Sequence, residues 1–364
     1  MKISVVHRYL ENRLNESNYP SQHKWGSDAV IEHPSWEAKL LPTSKFKIPQ
    51  KLEFFLNKTL FRGSPGFQVE FSSWKAARKS DLIYSISGPL ALAHLYPKKL
   101  LSWVFTTPPK ITNGLKLAHR SYKPYNLRAN AGFLCLTPKA EEYYSKFAPS
   151  KFLPWCVDLE LFDGAPPKKD PEKPFFLATG KTYRDYETLV KAAKEVAAEI
   201  RIIGPSIQKP RVLPPNVNWI DTSSNPPDQA IDYLTLREWY AQCIAVCIPL
   251  SGDADDTCGY TNMLEAMAMR KAVLMTQSGC LHINPENDGF GIQIKPRDVR
   301  GWTLAMNHLH EDHENALRLG NRGRDIVKKD FTIERFNRDI VKFVSKILKK
   351  PENTILDYTS SFLK

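Results

Sequence analysis

The feature that most limits the fold is a rhythm in residues 175–276, where short, uninterrupted apolar runs alternate with helical patterns. Residues 175–178, 199–203, 216–220, 244–250 and 272–276 read as strands, and residues 186–198, 234–242 and 261–269 as the helices between them. A strand apolar on both sides must be covered on both faces, and strands joined through helices pair in parallel. An α/β layer is the expectation for this half of the chain.

Upstream the same rhythm is fainter. Strands are expected at the very start and over residues 81–87, 100–106, 132–137 and 151–157, with a helix over 138–147; residues 10–75 are irregular, aromatic and basic. From Gly164 to Pro174 runs a proline-rich, charged stretch that reads as a linker. A chain of 364 residues is long for one core. Two Rossmann-like lobes are therefore expected, over 1–157 and 174–332, joined by a linker over 158–173. Residues 333–364 are expected to hold a C-terminal helix that packs back on the first lobe, since Phe336, Ile340, Val341, Phe343, Val344 and Ile347 share one face. Open parallel sheets bind ligands beyond the carboxyl ends of their strands, so the predicted site is a cleft between the lobes.

Charge narrows the partners. With 51 Lys and Arg against 39 Asp and Glu, the net charge is +12. Nucleotide diphosphates, nucleic acid and acidic lipid surfaces are the anions it suits. The stretch Phe54–Arg62 reads first as a buried helix with peripheral lysines, and otherwise as a surface helix that touches anionic lipid. No apolar run approaches the ~20 residues of a membrane span. The start turns polar too soon for a secretory leader. A cytoplasmic protein is expected, peripheral at the inner membrane face if the basic lobe meets lipid. The six cysteines show no zinc-ligand spacing and read as reduced core residues, with neither metal nor disulfides.

The segment 255–276 carries the chemistry. It reads as a glycine-containing loop, a short helix and a buried strand. The N–H groups at the helix start, near Thr261, suit a diphosphate. Gly259 allows close backbone approach. Glu265, about one turn on, cannot bind phosphate but can accept hydrogen bonds from a vicinal diol such as ribose.

At this point the chain resembles glycosyltransferase family 4, the retaining nucleotide-sugar transferases of GT-B fold. Glu265-Ala-Met-Ala268 matches the second half of that family's Glu-x7-Glu pattern, Leu153–Phe162 resembles its link between lobes, and Ala178–Leu189 resembles its phosphate-binding loop. The resemblance implies that Gly180, Lys181 and Arg184 meet the donor diphosphate. Gly259, Tyr260, Thr261 and Asn262 complete the cradle, and Glu265 holds the ribose. The family's first Glu falls at Thr257, which carries no charge, so Asp255 or Asp256 contacts the sugar hydroxyls instead, or the site handles the sugar differently, or that loop is a solvated turn. The family's first-lobe His is missing, with Thr106-Thr-Pro-Pro109 in its place and neither His94 nor His119 fitting.

The resemblance implies a transferase that moves a sugar from a nucleotide-diphosphate sugar to a hydroxyl acceptor, a glycan or a lipid, with retention and without cofactor or metal. Two other readings stay open. One is a GT-B epimerase, because fold does not fix reaction. The other is a basic membrane- or nucleic-acid-binding protein with a degenerate donor site, although no nucleic-acid motif supports the nucleic acid.

Overall fold

The computed structural model describes residues 1–7, 18–42, 46–106, 119–222, 231–252, 257–278 and 281–348. The chain divides into two compact units. Met1–Tyr19, His23–Trp155 and the chain from Glu334 onward form the first; Pro20–Gln22 and Cys156–Ile333 form the second.

Unit 1 holds strands β1 (Lys2–Val6), β2 (Glu37–Leu40), β3 (Leu82–Ser85), β4 (Leu100–Val104), β5 (Asn130–Cys135) and β6 (Ser150–Phe152). They lie in one sheet in the order β2-β1-β3-β4-β5-β6, with every pairing parallel. Its helices are α1 (Ser27–Ile31), α2 (Gln50–Lys58), α3 (Phe67–Ala77), α4 (Pro124–Ala129) and α5 (Pro138–Tyr144). The inner strands β3, β4 and β5 are buried at every residue, while the edge strand β2 alternates exposed and half-buried. Burial on both faces is what makes an inner parallel strand continuously apolar.

Unit 2 repeats the plan with β7 (Phe175–Thr179), β8 (Glu199–Gly204), β9 (Val217–Asp221), β10 (Ala245–Ile248), β11 (Ala272–Thr276) and β12 (Gly291–Ile294). The sheet order is β12-β11-β10-β7-β8-β9, again all parallel. Its helices are α6 (Tyr186–Ala193), α7 (Tyr233–Gln242), α8 (Tyr260–Ala268), α9 (Val299–Glu311) and α10 (His313–Asp330). One core cluster joins Leu189 and Val190 of α6 and Trp302, Met306 and Leu309 of α9 to the sheet residues Phe176, Ile200, Cys247 and Leu274. The last helix, α11 (Ile333–Ile347), belongs from Glu334 to unit 1. There the Phe336 ring stacks 5.5 Å from that of Trp103, and a Cβ at Gly26 would run into Ile340 Cδ1.

Several boundaries differ from the sequence reading. Residues 10–75 contain β2, α1, α2 and α3 among those described, so they are less irregular than expected. Their pattern is hidden because α2 buries none of its residues and its phenylalanines face outward, Phe54 at 65% exposure and Phe55 at 60%. The buried-helix reading of Phe54–Arg62 is therefore wrong. The helix expected over 186–198 ends at Ala193, because Asn216 Nδ2 reaches the carbonyls of Ala193, Val196 and Ala198 and closes the chain into a turn there. The strand expected over 151–157 is the short edge strand β6, stopped near Pro154, which has no N–H to donate.

Candidate functional site

The unit 2 sheet grows in both directions from β7: the chain adds β8 and β9 on one side, then returns to place β10 on the other. Strand order thus reverses between β7 and β10, the kind of position at which open α/β sheets hold ligands. The two loops leaving these strands are tied together. Asp185 N–H donates to the Pro249 carbonyl (3.0 Å), Ser251 N–H donates to the Tyr183 carbonyl (3.1 Å), and Arg184 bridges to Leu250.

Arg184 stands at the centre of this junction. Its Nε donates to the Thr179 carbonyl (3.2 Å), one terminal nitrogen to the Thr182 carbonyl (2.9 Å), and the other to Asn262 Oδ1 on α8 (2.7 Å). The guanidinium so fixed spans from the end of β7 to the first turn of α8. Gly180 beside it sits at φ +133°, a backbone conformation that residues with a side chain rarely adopt. Lys181 takes another direction, with Nζ 3.4 Å from the Thr222 carbonyl at the end of β9.

From Asn262 a polar chain runs inward. Its Nδ2 lies 3.4 Å from both Thr179 Oγ1 and Tyr240 Oη, and the Tyr240 hydroxyl donates to Glu265 Oε2 (3.0 Å). Glu265, buried at 2% exposure, also accepts from Gln22 Nε2 through Oε1 (3.1 Å). Gln22 in turn accepts the Asp158 N–H (2.8 Å). Burial, and then the Glu265 charge, raise the Tyr240 hydroxyl well above its ordinary pKa, so it stays a donor to the carboxylate.

The structure thus brings together Arg184, Asn262, Gly180 and Glu265 of the sequence-predicted residues and leaves Lys181 on a separate bond. Gly259 caps α8 at φ +84°, and a Cβ there would lie 2.6 Å from Ile248 Cγ2. Its close approach is to β10. Tyr260 is a core side chain whose ring meets His282 and Phe331 edge-on, and its N–H is engaged by the Thr257 carbonyl (3.1 Å). Thr261 and Asn262 occupy the first turn of α8, where N–H groups have no carbonyl one turn back in the helix. Asp255 and Asp256 lie outside the described residues. Gln22 and Tyr240 escaped the sequence reading. Tyr240 sits in a helix read only as a connection between strands, and Gln22 is 243 positions from its partner, so nothing local marks either one. His94 is bound to Asn126, through both its backbone N–H (3.0 Å) and ring Nδ1 (2.8 Å).

Residues 173–312 match the family model described as glycosyl transferases group 1. No curated protein matches the chain in sequence. Among solved structures, sucrose-phosphate synthase from Thermosynechococcus elongatus superposes with a TM-score of 0.65 at 14% identity, covering 96% of this chain and 99% of that one. A glycosyltransferase from Rickettsia africae superposes at 0.63 and 13% identity, with the same coverages of 96% and 99%. HepE of Anabaena, solved in complex with UDP and glucose, superposes at 0.59 and 13% identity, over 95% of this chain and all of its own. The fold is that of the GT-B glycosyltransferases, two parallel six-stranded sheets with helices and a C-terminal helix. The match of residues 173–312 to group 1 glycosyl transferases, on a chain of GT-B fold, makes this protein an enzyme.

Proposed function

We infer that the chain transfers a sugar from a nucleoside-diphosphate sugar to a hydroxyl acceptor, a glycan or a lipid, with retention of anomeric configuration as in family 4. The observation that carries this reading is the Arg184 guanidinium, held by three bonds over the first turn of α8 at the point where strand order reverses. A guanidinium has five N–H donors, so two more would be available to grip a diphosphate. Together with the α8 N-terminus and Lys181 they would offset the charge on the departing nucleotide, with no metal called for. Glu265 would meet the ribose. A carboxylate has about four acceptor positions, so a diol could share it with Tyr240 or displace the Gln22 amide. Either Asp255 or Asp256 would contact the sugar hydroxyls. Retention needs no protein nucleophile if the leaving phosphate oxygen assists the incoming hydroxyl on the same face. HepE was solved with UDP and glucose, which makes UDP-glucose the first donor to try.

The test is thermal unfolding with UDP, ADP, GDP and their glucose conjugates, on wild type, Arg184→Ala and Glu265→Gln. One base should stabilise the wild type by about 2.7 kcal/mol at a hundredfold excess over Kd. Both variants should respond less. Absence of a response to every nucleotide would remove the donor reading.

A further inference from the structure

Helix α2 turns its polar face inward. Glu53 accepts a hydrogen bond from Gln68 Nε2 (3.2 Å) and Asn57 Oδ1 accepts the Phe67 N–H (2.7 Å), both partners being on α3. At 100° per residue, Lys51, Leu52, Phe54, Phe55 and Lys58 fall together on the opposite arc. Leu52, Phe54 and Phe55 are 45%, 65% and 60% exposed. A helix normally gains its stability by burying such a face, so this one lacks the partner its composition implies.

The charge around the face says what that partner is. Between Phe46 and Ser80 stand seven basic residues and two acidic ones. Neither acid belongs to the outward face: Glu53 is bonded to Gln68, and Glu70 is fully buried. The Lys58 ammonium lies 5.7 Å from the centre of the Phe54 ring, and Arg62 is exposed just past the helix end. Rings and a leucine flanked by cations, with no outward acid, fit an anionic bilayer. The apolar groups enter the headgroup region while the lysines reach lipid phosphates. Nucleic acid would use the cations and the rings but has nothing for Leu52. A second copy would bring a face of the same charge. We propose that α2 is a peripheral membrane contact that docks unit 1 on an anionic lipid surface.

Co-flotation with phosphatidylcholine vesicles, with and without about 30% phosphatidylserine, tests it. Wild type should float with the anionic vesicles alone, and less so as salt rises. Phe54→Ser with Phe55→Ser should lower partitioning about tenfold or more. Lys51→Ala and Lys58→Ala should each lower it about fivefold, and only on anionic vesicles. Neither phenylalanine is buried, so all variants should keep the wild-type melting temperature and far-UV circular dichroism. Equal binding to neutral vesicles, binding unchanged by the double serine variant, or no binding at all would overturn the proposal. So would self-association that the double serine variant abolishes in a protein that ignores vesicles, which would assign the face to a second copy.

Discussion

Glu70 carries its carboxyl into an environment poorly suited to charge. It sits fully buried on α3 and accepts the backbone N–H groups of Ala91 (2.6 Å) and Leu92 (3.1 Å). Burial pushes its carboxyl up to about 7, against the pull of those donors, Ser64 and Arg120. Its folded pKa is raised, so its contribution to stability is full below the unfolded value of 4.5 and is lost as pH climbs through 7. His7 runs the other way: burial, and then His23, lower it to about 4, so its contribution is full above 6.5 and lost as pH falls toward 4. Between 4.5 and 6.5 the two slopes oppose. Urea unfolding of Glu70→Gln across that range should therefore show stability rising with pH more steeply than in wild type; an unchanged profile would contradict the assignment. Glu70→Ala removes the acceptor of two N–H groups and should cost about 1–3 kcal/mol for each one left bare. For Arg184→Ala the expectation is a different signature. Nucleotide binding should weaken about tenfold to a hundredfold, the worth of one charged hydrogen bond, and titration calorimetry reads it directly. Arg184→Lys should recover little, because an ammonium cannot reproduce a fork held on three acceptors.

At the scale of elements, Gly259 links helix α8 to strand β10 through two separable constraints. The positive φ costs any side chain about 1–3 kcal/mol. The 2.6 Å approach of a Cβ to Ile248 Cγ2 adds a clash. Gly259→Ala should lower the melting temperature, and adding Ile248→Ala should relieve the clash while leaving the backbone strain. A double-mutant cycle by denaturant unfolding should then show favourable coupling between the two substitutions. Elements of this kind were largely legible in the chain. β7, β10 and β11 are buried at every residue and announce themselves as apolar runs, and α8 lies within a residue of its expected span. What stayed hidden has one physical cause. The signals used were local, whereas Asn216 ends α6 from 23 residues away and Arg184 meets Asn262 across 78. α2 misled for the converse reason: its apolar residues are real, but they face out. The candidate site was legible as a set of residues, through Gly180, Arg184, Asn262 and Glu265, but its wiring through Tyr240 and Gln22 was not.

For the whole molecule, the order of the chain matters as much as its folding units. Unit 1 is discontinuous in sequence, since all of Cys156–Ile333 lies between its sheet and its last helix. α11 buries Phe336, Ile340, Val341, Phe343 and Val344. A fragment of residues 1–155 lacks these five side chains, each worth about 1.5–3 kcal/mol on full burial, a sum comparable with the net stability of a domain. Such a fragment should be largely unfolded or aggregated, and one with residues 333–348 joined through a flexible linker should recover a cooperative thermal transition. If both fragments melt alike, α11 is dispensable to unit 1. Residues 156–333 expressed alone would likewise lose the two bonds that Gln22 makes to Glu265 and Asp158.

The return of α11 also sets a timetable. A ribosome makes β1 first, yet the Trp103 ring that Phe336 covers waits through some two hundred further residues before its lid exists. Throughout that interval unit 2 can close its own sheet, while unit 1 lacks the helix that completes its core. α11 is thus made after every other described element, and a chain stopped just before it holds all of unit 2 but leaves unit 1 without its last helix.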